Sequence, residues 1–175
     1  MSPLGSQMAP YDGRSVANLI LDLGDQHKVI ITQLKLLKIL YYCNGWYLAT
    51  QGCRLIKQDF EAWDYGPVIR VVRNAFKEFG KNPITTRAKK LDIYTGNYNT
   101  VPQVTNNFDV DFISKVFQEY RHFDAWKLSD MTHERGSPWD RIWNSEIPLG
   151  RLALRLSEDD IRAHFANLPE KFVVN

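Results

Sequence analysis

Two cysteines in 175 residues are too few for the disulfide framework of a small secreted domain, and their spacing is not that of a metal site. Cys43 and Cys53 are both expected as buried free thiols. No apolar run approaches the roughly 18 to 20 residues that span a bilayer, and no secretory leader opens the chain. The expectation is a cytoplasmic protein without a membrane partner. A net charge of +2 is too small to argue for nucleic acid. The four histidines, His27, His122, His133 and His164, have no second ligand three or four residues further along the chain, so no metal and no cofactor are expected. There is also no glycine-rich phosphate loop, no nucleophile elbow and no carboxylate pair at motif spacing. The enzyme class has nothing positive to rest on.

Aromatic residues are plentiful: five Trp, eight Tyr and nine Phe. Four of them, Tyr41, Tyr42, Trp46 and Tyr47, lie in a long helix, Thr32 to Ala49, that has almost no polar face. Leu34, Leu37, Tyr41 and Leu48 form one stripe, and Leu36, Ile39, Leu40, Cys43 and Tyr47 widen it beyond half the wheel. Such a helix must be a central element with others packed around it. Lys35, Lys38 and Tyr42 are read as the remaining polar edge, Thr32 as the N-cap and Gly52 as the C-terminal stop.

Around that helix the periodicity predicts several more. Ser15 caps a helix to Gln26 with Val16, Leu19, Ile20 and Leu23 inward. Gly66-Pro67 starts one through Phe79, on the preference of proline for the first helical position. Asp109 or Asp111 starts a third with Phe112, Ile113, Val116, Phe117 and Tyr120 inward, and Asp124 a short one to Met131. Ser137-Pro-Trp-Asp is a capping-box variant that places Trp139 and Trp143 on one face, and Ser157 caps the last helix, docked by Ile161 and Phe165. Short strands are expected before Trp63 and over Leu152 to Leu156, paired with each other, with a third near Leu91 to Tyr94 inside a polar connection from Lys81 to Asn107. The fold class is mainly α (α+β): a compact helical domain around a central buried helix, with a small two-stranded β element. Residues 1–14 are assigned to a cloning remnant and a flexible N-terminus, 15–168 to a single domain and 169–175 to a tail.

Charge is uneven. Arg70, Arg73, Lys77, Lys81, Arg87, Lys89 and Lys90 face the single acid Glu78, which is either a solvated face or a surface for an acidic partner. Trp63, Tyr65 and Trp139, with Trp46, are either core aromatics or anchors of a protein-binding surface. His133, near Asp130 and Glu134, reads better as a tie between a helix end and a loop than as a general base.

Three blocks in order, Thr32-Gln-Leu-Lys-Leu-Leu-Lys-Ile-Leu-Tyr-Tyr-Cys-Asn-Gly-Trp-Tyr-Leu-Ala, Phe60-Glu-Ala-Trp-Asp-Tyr-Gly-Pro-Val, and Leu128-Ser-Asp-Met-Thr-His-Glu followed by Ser137-Pro-Trp, resemble the Panacea domain of the SocA-like antitoxins. The resemblance runs from about Ser15 to Phe165. It implies an antitoxin of a bacterial or phage toxin–antitoxin pair, a prophage gene for instance, that neutralises its cognate protein toxin by binding it. An adaptor that delivers the toxin to a ClpXP-type protease is the alternative it leaves open, and a transcriptional regulator is a second. The family-motif residues, for fold or interface, are Lys38, Tyr41, Tyr42, Trp46, Gly66, His133 and Trp139. Their charge and aromatic content single out Trp63, Tyr65, Pro67, Arg70, Arg73 and Lys77 as the toxin-facing surface.

Overall fold

The computed structural model describes residues 8–145 and 154–169. Its centre is helix α2, Gln33–Gln51, in which every residue from Lys35 to Leu48 is buried. Packed most closely around it are α1 (Gly13–Gln26), α4 (Asn107–Tyr120), α5 (Ala125–Thr132), α7 (Glu158–Ala166) and strand β2 (Gly66–Val68). Being enclosed on all sides removes any need for a polar stripe. Lys35 and Lys38, read from sequence as a polar edge with Tyr42, are 8% and 0% exposed, and Tyr42 is 5% exposed. Each lysine crosses the apolar layer to a backbone carbonyl: Lys35 Nζ donates to Arg121 O at 2.7 Å and Lys38 Nζ to Pro67 O at 2.9 Å.

Local capping chemistry sets most helix starts. The side chains of Thr32, Asp124, Ser137 and Ser157 accept from Lys35, Lys127, Asp140 and Asp160 N–H, as their spacing predicts. Gly52 ends α2 with φ +72°. Two helices are capped by a residue other than the one expected. Helix α1 is capped by Asp12, not Ser15, which is buried inside its first turn. Helix α4 is capped by Asn106, so Asp109 lies inside it as a buried carboxylate, accepting from Tyr11 at 2.5 Å and Tyr47 at 2.8 Å. Tyr11, ahead of the expected start of the domain, is 1% exposed.

Gly66-Pro67 does not open a helix. Strand β1 (Glu61–Trp63) turns through Asp64 and Tyr65 into β2, with Trp63 opposite Gly66 and Glu61 opposite Val68. Proline fits because β2 is the outer strand, where its missing N–H breaks no ladder. The inner neighbour of β1 is the segment 154–156: Ala62 N–H donates to Leu154 O at 2.7 Å, Leu156 N–H donates to Phe60 O at 2.8 Å, and Glu61 bridges Arg155. The expected start of that strand at Leu152 lies outside the described residues, as do residues 1–7 and 170–175. Helix α3 begins only at Arg70 and runs to Ala75, followed by a 3-10 turn, Lys77–Phe79.

A second hairpin joins β3 (Lys89–Leu91) to β4 (Tyr98–Thr100), so Ile93 and Tyr94 form its turn rather than the expected strand. Helix α6, Pro138–Trp143, stacks Trp139 on Trp143 with ring centroids 5.4 Å apart. The expectation that both thiols are buried holds for Cys43 alone, because Cys53 lies exposed just past the end of α2. Among the described residues no helix is long and apolar enough to cross a membrane.

Candidate functional site

Three consecutive odd-numbered carbonyls of the β1–β2 turn are each held from behind by a different element. Trp63 O accepts from Trp139 Nε1 of α6 at 2.8 Å, Tyr65 O from Ser129 Oγ of α5 at 2.8 Å, and Pro67 O from Lys38 Nζ of α2 at 2.9 Å. Gly66, at φ +102°, sits so close to this backing that a Cβ there would collide with Thr132 Oγ1 and lie 2.8 Å from Lys38 Cε. The turn is therefore fixed in one conformation, and its side chains are presented without a further ordering cost on binding.

Those side chains border a groove of about 530 Å³. Leu34, Leu37 and Lys38 of α2 form its floor, the Trp63–Tyr65 turn one wall, and Ala125 and Trp126 of α5 another, with Arg73 and Lys81 at its edge. Tyr65 and Trp126 stand edge to face with centroids 5.4 Å apart, and are 57% and 56% exposed. Tryptophan and tyrosine are among the residues that dominate binding hot spots.

The charges beside the groove are ordered by Trp63. Its indole Nε1 donates to Glu61 Oε2 at 2.8 Å, and Arg70 Nη2 reaches the same oxygen at 2.9 Å. Burial would raise the Glu61 carboxyl, but these two donors hold it below the ordinary carboxylate range. Arg73 lies over the Trp63 ring at 4.8 Å and Arg70 at 5.6 Å, both within cation–π range. Arg70 is thus neutralised by Glu61, whereas Arg73, Lys77 and Lys81 have no carboxylate partner among the described residues. Arg87, part of the same basic stretch in sequence, is clamped to Asp22 and Asp25 of α1 at 2.7 and 2.6 Å.

Of the six residues singled out for the surface, Trp63, Tyr65 and Arg73 line the groove. Arg70 is exposed beside it, Lys77 is exposed on the 3-10 turn outside the lining, and Pro67 is buried, contributing only its carbonyl. The family-motif residues lie behind the surface. Tyr41, Tyr42 and Trp46 pack their rings around Phe165 of α7 at 5.4, 5.8 and 5.2 Å, and Trp46 Nε1 donates to Tyr120 Oη at 2.8 Å. His133 ends α5 and lies flat on Trp139 at 3.9 Å. Burial, then the nearby Lys38 charge, lowers its affinity for a proton, against a smaller pull from Asp130. Burial also holds the Lys38 amine down to about 7. Among the described residues no three His, Cys, Asp or Glu side chains gather as a metal site.

Sequence reading missed Trp126, Leu34 and Lys81 as groove residues. For Trp126 a signal existed: it is out of phase with Leu128, Ser129 and Thr132, the buried side of α5, so a large apolar ring had to face outward.

The profile of the family described as Antitoxin SocA-like, Panacea domain, matches residues 36–140, which hold Leu37 and Lys38 of the groove floor, the turn and its backing, but not Leu34. The chain is also 34% identical over 165 residues, 94% of its length and 88% of the relative's, to Antitoxin SocA of Caulobacter vibrioides (strain NA1000 / CB15N). No solved structure matches it significantly. The chain therefore belongs to the SocA-like antitoxin family with a Panacea domain.

Proposed function

We propose that this protein neutralises a cognate protein toxin in the cytoplasm by binding it directly, through the Trp63–Tyr65 turn, the basic side of α3 and the adjoining groove. The observation that carries this reading is the turn itself: its carbonyls are fixed by α2, α5 and α6 while Trp63, Tyr65 and Arg73 are left to face a partner. Inhibition then follows from occupancy, with no turnover. Nanomolar affinity needs about 12 kcal/mol net, within reach of a standard interface with a few aromatic and arginine anchors.

The test is co-expression with the toxin encoded beside this gene. A folded Arg70→Ala/Arg73→Ala/Lys77→Ala variant is expected to lose protection, and wild-type protection by that variant removes this surface from the reading. Toxin abundance separates the routes: a direct inhibitor protects at constant toxin level, whereas toxin loss that depends on a ClpXP-type protease points to delivery.

A further inference from the structure

The groove constrains what the toxin must present, and this step rests on the direct-binding reading above. We infer that the groove between α2, the β1–β2 turn and the first turn of α5 receives a short apolar segment of the toxin bearing a carboxylate side chain, the apolar part against Leu34, Leu37 and Trp126 and the carboxylate on Arg73 and Lys81.

Size and lining come first. At about 530 Å³ the groove falls within the roughly 300 to 1,000 Å³ of sites that engulf a ligand rather than touch it. Leu37 and Val68 in its lining are 4% and 6% exposed, so its depth is apolar and offers a polar segment little to bond with. Its rim is the Tyr65–Trp126 pair, whose edge-to-face contact holds each ring in place before a partner arrives.

Charge then selects among apolar segments. Arg73 is held over Trp63, which restricts the guanidinium before any anion binds, and neither Arg73 nor Lys81 has a carboxylate partner among the described residues. A neutral segment laid in the groove would withdraw both cations from water without compensation. One with an aspartate or glutamate beside its apolar anchor compensates them, and an arginine there can do so with two parallel hydrogen bonds. Asp64 in the same lining disfavours further acids at the turn end, which gives the segment a direction.

The experiment uses the full chain and overlapping peptides that tile the toxin encoded beside it, read by Trp fluorescence and by competition against the whole toxin. The expected result is one binding window with large apolar residues next to an acid, weakened at least about tenfold by Trp126→Ala and by Lys81→Glu. Both positions are at the groove rim, and unchanged circular dichroism of the variants checks the fold. Changing the acid of that window to arginine in the whole toxin should abolish binding to the wild-type chain and restore it toward Lys81→Glu. If the toxin binds the Trp126→Ala and Lys81→Glu variants as tightly as the wild type, the groove assignment is overturned while direct neutralisation stands. A binding window without an acid overturns it as well. Failure of the whole toxin to bind at all overturns both readings.

Discussion

Lys38 donates from the second turn of the central helix to the Pro67 carbonyl, 2.9 Å away, and so joins the most buried element of the fold to the back of the turn that borders the groove. Its ammonium is 0% exposed and has no carboxylate beside it among the described residues.

That burial makes stability depend on pH in a predictable direction. The amine keeps a value near 10.5 when unfolded and about 7 when folded, so between these the unfolded chain binds more protons and stability rises with pH. Below about 7 both states are protonated and this contribution is flat. The urea midpoint of the wild type should therefore climb relative to Lys38→Met from about pH 7 to pH 10. Parallel profiles for the two proteins would show that Lys38 does not titrate this way.

Gly66 is required twice, by its φ of +102° and by the lack of room for a Cβ against Thr132 and Lys38. Gly66→Ala should cost on the order of 1–3 kcal/mol in chemical unfolding. Loss of toxin affinity should accompany it, because the turn cannot keep all three anchored carbonyls. An alanine variant as stable as the wild type contradicts the close approach.

Gly45, in mid-helix, lies beneath Phe165 of α7, and a Cβ there would overlap the ring. Helix propensity alone predicts that Gly45→Ala gains up to about 1 kcal/mol. Overpacking against a ring hemmed in by Tyr41, Tyr42 and Trp46 costs about 1–3 kcal/mol, so net destabilisation is expected. A raised melting temperature would refute this ordering of the two effects.

Asp109, 2% exposed, is held by the hydroxyls of Tyr11 and Tyr47. Tyr47→Phe removes one donor from a buried carboxylate and should destabilise by about 1–3 kcal/mol. Phe112, whose ring meets Tyr47 at 5.1 Å, keeps its packing in that variant, so the loss isolates the hydrogen bond. Equal unfolding midpoints for the two proteins would mean that Asp109 is satisfied without Tyr47.

Sequence alone determined much of what acts within one helical turn, although the caps Asp12 and Asn106 were not picked out from it. Thr32, Asp124, Ser137 and Ser157 cap because a side-chain oxygen reaches an N–H three residues on, whatever lies around it. The breadth of apolar residues on α2 likewise required neighbours on every side. The Trp63–Pro67 turn stood out by composition, and its Trp63 and Tyr65 do border the groove. Tertiary structure decided the rest. Pro67 is in a strand and not a helix because Ala62, Leu154 and Lys38 fix its surroundings from three separate parts of the chain. Lys38 is buried rather than on a polar edge because a carbonyl 29 residues away accepts its hydrogen bond. Trp126 reaches the groove only because α5 is docked on the turn through Ser129. A lysine or tryptophan carries no local mark of its eventual partner; its place is set by long-range contacts, which a pattern of neighbours along the chain does not contain.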